Sequence, residues 1–327
     1  MKNGIIFANA RAKAKEQNLF TEERLHRMTE AKSLEDAVRV LAEANYADGV
    51  NVNVNNFYEV LDAEEKLVTD FVREAVPGGL GIECFFLKND YHNLKSVIKA
   101  HYAGISDFGF MLLPDGNISS KELAERYNEK KISFVNEYMG EAIKEIEKQF
   151  DSGNRSPRLI DTELDKAMYK EIADIIKRKE TDKSIKTYFE TQADAINIGT
   201  MLRTIQIGAD FKFFESNFIE GGTLDLYLFK EAGTDREKFA KFITGSKYKE
   251  LYAKVSEGDL SEFETAKDNF LLKIFSASKG DMFSIAPIVG YYLGKLNEIK
   301  VLRVVLICIK NKVDVKEMKK RVRELYA

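Results

Sequence analysis

The residue types that most often carry catalysis or bind metal ions are sparse in this 327-residue sequence. The three histidines are His26, His92 and His101, and the sequence has neither a Cys-x-x-Cys nor a His-Glu-x-x-His motif, the spacings typical of zinc sites. His92 and His101 are nine residues apart and would not share one face of a helix. We interpret all three as structural or surface residues. The sequence predicts no metal site, no catalytic residue and no bound cofactor.

Two segments match nucleotide-binding motifs only in part. Gly245-Ser246-Lys247 is similar to the end of a phosphate-binding loop, but it lacks the earlier glycine and follows a helical pattern rather than a strand. The segment from Pro77 to Gly81 could hold an anion through backbone N–H groups, although no strand precedes it. We interpret the two as a helix terminus and a connecting loop. An enzyme that assembles scattered acids in a deep polar pocket is kept as an alternative hypothesis.

Composition narrows the class of protein. The net charge is -3, with 31% charged and 44% hydrophobic residues, which is typical of a globular chain and argues against a generally basic nucleic-acid binder. Cys84 and Cys308 cannot form a disulfide framework, lie in apolar runs and are predicted to be buried in a protein of a reducing compartment. The N-terminus does not resemble a signal peptide. The apolar segments 283–294 and 301–309 are shorter than a membrane span, so we expect a cytosolic protein or one held at a membrane by a protein partner.

Apolar residues at three- and four-residue spacing predict helices along nearly the whole chain. The segments with this pattern are Thr21–Asn45, Asn55–Ala75, Ser119–Asp151, Asp161–Arg178 and Asp235–Lys254. Ser33 and Asp36 resemble a capping box. The asparagine-rich stretch 49–56 alternates with a period of two, but asparagine is a poor strand former, so we expect an extended loop. The predicted fold class is all-α.

Three segments repeat at a spacing of 104 residues: 84–104, 188–208 and 292–312, named here the first, second and third repeat segments. Each has an acidic residue (Asp90, Asp194 and Glu298), followed by an apolar stripe typical of one buried helix face. Asn93 and Asn197 also correspond, but Val301 replaces the third asparagine. Gly104 and Gly208 are predicted helix C-caps, whereas Lys312 departs from the pattern.

The repeat changes the expected number of domains. Length alone suggests about two domains, but three copies of 104 residues nearly fill the chain. We therefore predict three helical repeat domains at residues 1–108, 109–212 and 213–327.

Charge is unevenly distributed. Residues 300–327 contain nine basic and three acidic residues, which gives +6, so the rest of the chain carries -9. This stretch is either a solvated helix end or a basic surface that faces an acidic partner or lipid headgroups. We predict a partner-facing basic patch formed by Lys316, Lys319, Lys320, Arg321 and Arg323.

Three parts of the sequence resemble a known family, the C subunits of the V-type and archaeal A-type ATP synthases, whose eukaryotic counterpart is the d subunit of vacuolar ATPases. The opening Phe7-Ala-Asn-Ala-Arg11 resembles the family's N-terminal motif. The segments 160–169 and 287–303 are similar to its central and C-terminal segments, except that the family usually has asparagine at the position of Val301. The likeness extends from about Phe7 to Tyr326.

The resemblance implies three similar helical domains around a pseudo-threefold axis, in a funnel. It implies a non-catalytic rotor protein, present once per complex and monomeric in isolation, on the cytoplasmic side of the membrane. Its partners would be the central-stalk subunits D and F and the membrane rotor ring, with no nucleic acid and no small-molecule substrate. The coupling ion, proton or sodium, and the direction of the reaction belong to other subunits. A helical scaffold in another assembly is the alternative hypothesis.

Overall fold

The computed structural model describes residues 2–253 and 260–326, and within these ranges the chain is helical with no β-strand. The prediction of an all-α chain is thereby confirmed. No helix in these ranges is both long and apolar enough to cross a membrane. The chain divides into two compact units: unit 1 contains residues 1–77 and 261–327, and unit 2 contains residues 78–260.

Unit 1 combines helices from both ends of the sequence. They are α1 (Lys2–Glu16), α2 (Glu22–Thr29), α3 (Leu34–Ala42), α4 (Phe57–Ala75), α14 (Leu260–Ser276, apart from its first residue), α15 (Ala286–Lys310) and α16 (Val315–Arg321). The long helix α15 packs against α1, α2, α3, α4 and α16. Its buried face includes Leu302, Val305 and Leu306, which join one hydrophobic core with residues from α2, α3 and α4. Helix α15 therefore lies at the centre of unit 1.

Unit 2 is formed from one continuous stretch of chain. Its helices are α5 (Cys84–Ala103), α6 (Ser120–Asn128), α7 (Glu137–Asp151), α8 (Pro157–Ile176), α9 (Lys183–Gln206), α10 (Phe211–Asn217), α11 (Leu226–Ala232), α12 (Arg236–Thr244) and α13 (Lys249–Ala253). Helix α8 packs against α5, α7 and α9, and α9 also packs against α10. The first and second repeat segments are thus helices α5 and α9, each packed within unit 2.

Several predicted helices are interrupted. The predicted helix from Thr21 is divided into α2 and α3, because Ser33 caps a new helix by accepting a hydrogen bond from the Asp36 N–H. The predicted helix from Ser119 is divided into α6 and α7 by a 3₁₀ turn, Ile132–Phe134. The predicted helix from Asp235 is divided into α12 and α13, and its end at Lys254 lies outside the described residues. The apolar spacing predicts the helical segments correctly, but the caps inside it end each helix early.

The three repeat segments end in the same way. Gly104, Gly208 and Lys312 all have left-handed backbones, with φ of 68°, 65° and 54°. In each case the following N–H donates to a carbonyl five residues earlier, at Ala100, Thr204 and Cys308. This is the hydrogen-bond pattern of a Schellman motif. The predicted glycine caps are confirmed, and Lys312 keeps the same backbone geometry without a glycine.

Candidate functional site

The acidic residues of the three repeat segments are buried. Asp90 and Asp194 have 0% exposure and Glu298 has 2%. A carboxylate removed from water needs hydrogen-bond donors, since its desolvation is otherwise very costly. We name these three residues the carboxylate anchors, because each binds the backbone of a segment distant in sequence.

The first carboxylate anchor, Asp90 on α5, binds the loop that leads into α6. The N–H groups of Asn117 and Ile118 donate to its two oxygens at 3.0 and 2.9 Å, and the Asn117 side-chain amide donates at 3.1 Å. Burial raises the pKa of Asp90, while these N–H donors act in the opposite direction. The anchor fixes the start of α6 against α5.

The second carboxylate anchor, Asp194 on α9, binds the loop that leads into α11. The Leu224 N–H donates at 2.8 Å and the Thr223 hydroxyl at 2.6 Å. The Tyr248 hydroxyl donates at 2.5 Å, from the segment between α12 and α13. Burial and then the Asp194 hydrogen bond raise the pKa of Tyr248, so its hydroxyl remains a donor.

The third carboxylate anchor, Glu298 on α15, binds the N-terminal part of the chain. The Phe20 N–H donates to Oε2 at 2.7 Å, from the loop that leads into α2. The Tyr46 hydroxyl donates to Oε1, and burial together with the Glu298 charge raises the pKa of Tyr46. Glu298 therefore joins α15 to Phe20 and Tyr46, which are 278 and 252 positions earlier in the sequence.

A buried lysine distinguishes the third anchor. Lys295, 3% exposed, donates to Glu298 at 2.8 Å and lies 3.1 Å from Glu64 on α4. The other oxygen of Glu64 accepts the Ala47 N–H at 2.8 Å. Ala47 has a left-handed backbone, with φ of 50°, which is strained for a residue with a side chain. The charges of Lys295, Glu64 and Glu298 thus also hold this strained turn in place.

The three anchors follow one local rule that sequence reasoning missed. The N–H donors Phe20, Ile118 and Leu224 each stand immediately before a helix N-cap, at Thr21, Ser119 and Asp225. Two residues before the donor stand Gly116 and Gly222 in unit 2, where an added Cβ would meet the anchor oxygen at 2.1 Å. A Gly-x-aliphatic-Ser/Asp pattern before an amphipathic helix is the signal that could have identified these loops.

The repeated asparagines bind the same loops further upstream. Asn93 donates to the Leu113 carbonyl at 2.9 Å and accepts the Leu113 N–H at 2.7 Å. Asn197 makes the same pair with Ile219, at 2.8 and 2.9 Å. Leu113 and Ile219 stand five residues before their anchor donors, and the position five before Phe20 is Lys15, inside α1. A helical peptide group is already hydrogen-bonded, which gives a physical reason for apolar Val301 in the third segment.

Three of the five residues in the predicted basic patch form ion pairs within the chain. Lys319 on α16 pairs with Glu30 at 2.8 Å, and Lys320 pairs with Glu317 at 2.7 Å. Arg323 lies beyond α16, in a segment without regular secondary structure. It pairs with Asp268 at 2.6 Å, with 17% of its side chain exposed.

Lys316 and Arg321 are the remaining members of the predicted patch. Both are exposed on α16, and neither forms an ion pair within residues 2–253 and 260–326. The role of all five residues as a partner-facing patch stays a prediction. Of the five, Lys316 and Arg321 are the two whose charges form no ion pair with another described residue.

Unit 2 has a polar groove of 460 Å³ along α7 and α8. Five glutamates line it: Glu141, Glu145, Glu163, Glu215 and Glu220. Lys170 pairs with Glu141 at 3.0 Å and Lys166 with Glu163 at 3.7 Å. Hydrogen bonds from Gln149 and Lys148 lower the pKa of Glu145. A general acid needs a raised pKa, so the lowered pKa of Glu145 does not suit that one role.

The histidines and cysteines are the remaining candidate residues. The three histidines are all exposed, and His92 contacts the Met111 carbonyl at 3.1 Å. Cys84 and Cys308 are both buried, as predicted, and burial raises the pKa of the Cys84 thiol. In the described parts of the chain, no three His, Cys, Asp or Glu side chains are grouped to hold a metal ion.

Comparison with known proteins places this arrangement in a family. The sequence model of the ATP synthase (C/AC39) subunit family matches residues 8–321, which include all three repeat segments and all three carboxylate anchors. The chain belongs to this family. It is accordingly a subunit of a V-type or A-type ATPase.

Individual relatives agree over nearly the whole length. The A-type ATP synthase C subunit of Thermococcus kodakarensis is 26% identical, over 98% of this chain and 90% of the relative. The corresponding protein of Methanocaldococcus jannaschii is 25% identical, over 94% of this chain and 82% of the relative. The V-type sodium ATPase C subunit of Enterococcus hirae is 20% identical, over 97% of this chain and 98% of the relative.

Proposed function

We propose that this chain is the non-catalytic rotor protein that joins the central shaft of a V/A-type ATPase to the membrane rotor ring and transmits torque. The observation that carries the proposal is the family match over residues 8–321, together with relatives named as C subunits over almost their full length. In this proposal the shaft consists of subunits D and F, and the chain lies on the cytoplasmic side of the membrane, held there by its partners.

The carboxylate anchors support a torque-transmitting role. A protein that transmits torque must resist deformation, and buried charge-assisted hydrogen bonds are the strong, directional kind. Each anchor joins a long helix to the start of another helix: α5 to α6 through Asp90, α9 to α11 through Asp194, and α15 to α2 through Glu298. The role proposed for these residues is therefore stiffness within each unit, without any chemical step.

The arrangement of three similar domains as a funnel around a pseudo-threefold axis belongs to the same proposal. The anchor acids and the left-handed helix ends support it, since both recur at the 104-residue spacing, and each acid accepts an N–H that precedes a helix N-cap. The proposed boundaries are residues 1–108, 109–212 and 213–327. In the funnel, a central opening would receive the shaft and the opposite face would rest on the ring.

A reconstitution experiment tests the function. The purified chain is mixed separately with the D–F shaft and with the isolated rotor ring, and each mixture is analysed by pull-down. We expect binding to both. Binding to neither would contradict the rotor proposal and would favour a helical scaffold of another assembly.

The basic patch gives a second test of the same proposal. The double variant Lys316→Glu/Arg321→Glu should weaken binding to the shaft or ring at low salt and have less effect at high salt, because screening shortens the range of the charges. A variant with the same charge change in unit 2, Lys144→Glu/Lys230→Glu, is the control, since both residues are exposed. Equal binding by wild type and the α16 variant would show that Lys316 and Arg321 lie on a solvated helix face and do not contact the shaft or the ring.

A further inference from the structure

The segment after α16, residues 322–326, has no regular secondary structure and is held to unit 1 at several points. Arg323 donates to Asp268 at 2.6 Å, and the Glu324 carbonyl accepts from Asn297 on α15 at 2.7 Å. The Glu324 N–H donates to Asn269 on α14 at 3.3 Å, and the Leu325 N–H donates to Glu22 on α2 at 3.4 Å. A short segment without secondary structure of its own thus contacts three helices of unit 1.

Tyr326 occupies a seat formed by two glycines of α15. Gly290 and Gly294 are one helical turn apart, so both lie on the same face. An added Cβ at Gly294 would meet the Tyr326 ring at 2.6–2.7 Å, and one at Gly290 would meet its hydroxyl oxygen at 2.2 Å. Tyr326 is 5% exposed, and Lys279 donates to the Tyr326 carbonyl at 3.0 Å. The absence of side chains at both glycines is what lets the ring reach the helix.

This seat leaves one polar group unsatisfied. The Tyr326 hydroxyl is buried and has no hydrogen-bond partner among the described residues. Burying a hydroxyl without a partner opposes the gain from burying the ring. Tyrosine is therefore held less tightly here than phenylalanine would be.

We propose that residues 322–326 are a releasable strap, docked through the Tyr326 ring on Gly290 and Gly294 and able to detach while the core of unit 1 stays folded. Docking holds α14 against α15 through Asp268 and Asn269 on one side and Asn297 on the other. When the strap detaches, Arg323 separates from Asp268. The positive charge of Arg323 is then added to that of the exposed cations of α16. The strap thereby regulates the positive charge beside α16, and its existence does not depend on the proposed rotor function.

Hydrogen exchange on the full chain tests the strap, with the Glu324 and Leu325 amides as reporters. Tyr326→Ala should speed their exchange about tenfold or more, since loss of a buried ring exceeds the roughly 1.4 kcal/mol that corresponds to a factor of ten. Gly294→Ala should also speed the exchange of these amides, because its methyl group would overlap the Tyr326 ring. Tyr326→Phe should slow the same amides by about fivefold or more, because the unsatisfied hydroxyl is removed.

The core amides of Val305 and Leu306 on α15 separate local release from unfolding. They should keep the wild-type rate in Tyr326→Ala. Gly280→Ala is the control for adding a methyl group, because nothing lies within 4 Å of the position that its Cβ would take. The strap is refuted if Tyr326→Ala leaves the Glu324 and Leu325 amides unchanged, or if it accelerates the core amides by the same factor. Unchanged exchange in Tyr326→Phe would refute the role of the hydroxyl in making the strap releasable.

Discussion

The third carboxylate anchor in unit 1 performs the same task as the two in unit 2 with different partners. Asp90 and Asp194 accept hydrogen bonds from a loop 27 to 30 residues downstream, including the side chain just before the anchor donor, Asn117 or Thr223. Glu298 accepts from Phe20, Tyr46 and Lys295. Asp194 also accepts a tyrosine hydroxyl, from Tyr248, so the buried lysine is what sets the third anchor apart. The residue before Phe20 is Leu19, which has no polar side chain to contribute.

The comparison shows which part of the repeat is essential to the fold. A buried carboxylate on a long helix and a backbone N–H before an N-cap recur in all three places. The additional donors vary, as they can when only the total hydrogen-bonding capacity of the carboxylate must be met. The third anchor also brings in the carboxylate of Glu64, and Lys295 lies between the two negative charges.

The largest expected effect is at Lys295. Lys295→Met leaves Glu64 and Glu298 without their shared cation, and breaking a buried ion pair in this way typically costs about 3–5 kcal/mol. The free energy of unfolding, measured by urea denaturation, should fall by this order. Adding Glu298→Gln to the variant should recover part of the loss, because one uncompensated charge is removed.

An exposed ion pair provides the control for Lys295. Lys99 and Asp161 are 2.6 Å apart, but each side chain is more than one third exposed. Lys99→Met should cost at most about 1 kcal/mol. Equal losses at Lys295 and Lys99 would show that the third anchor does not depend on its buried cation.

The next effect concerns the glycines that distinguish the unit 2 anchors. Gly222→Ala and Gly116→Ala force the loop backbone away from Asp194 and Asp90, and overpacking of this kind costs about 1–3 kcal/mol. The position equivalent to these glycines before Phe20 is Asn18, which is exposed, so Asn18→Ala should change stability by less than about 0.5 kcal/mol. Urea denaturation of the three variants measures the contrast. A loss at Asn18 as large as at Gly222 would mean that all three loops approach their anchors equally closely.

The smallest effect is at the shared helix ends. Gly208→Ala should lower the free energy of unfolding by about 1 kcal/mol, since the backbone is left-handed and nothing else lies near its side-chain position. Lys312→Gly should raise it by less than about 1 kcal/mol, because relief of strain is partly offset by greater freedom in the unfolded chain. Thermal and urea unfolding should both show lower stability for Gly208→Ala and higher stability for Lys312→Gly. Destabilisation by Lys312→Gly would show that the lysine side chain contributes more than its backbone strain costs.

The repeat spacing identified the carboxylate anchors because an acid beside an apolar helical stripe is visible in the sequence. Their binding partners were missed, since a backbone N–H is present in nearly every residue and has no sequence signature. The contact between Lys295 and Glu64 was equally hidden, because two charged residues so far apart have no pattern that relates them. Lys312 shows that residue type alone does not predict backbone geometry. The left-handed backbone recurs at this position although glycine does not.

The basic patch shows what composition can and cannot predict. Counting charges located the excess near the C-terminus correctly. It could not show that Lys319 and Arg323 are paired with Glu30 and Asp268, since both partners are distant in sequence. The family resemblance, by contrast, depended on core segments in a fixed order, which vary least when the fold must be kept.

The contact between Phe20 and Glu298 also sets an order of events during synthesis. Unit 2 has its whole sequence once residue 260 has been made, whereas α2, α3 and α4 must await α15. At about 5–20 residues per second, the interval between the synthesis of α4 and that of α15 is roughly 10–50 s. During it, Leu25, Leu41 and Leu61, all buried in the finished protein, have no α15 to cover them. The nascent N-terminal helices therefore expose apolar surface, the kind that promotes aggregation, until the last helices have been made.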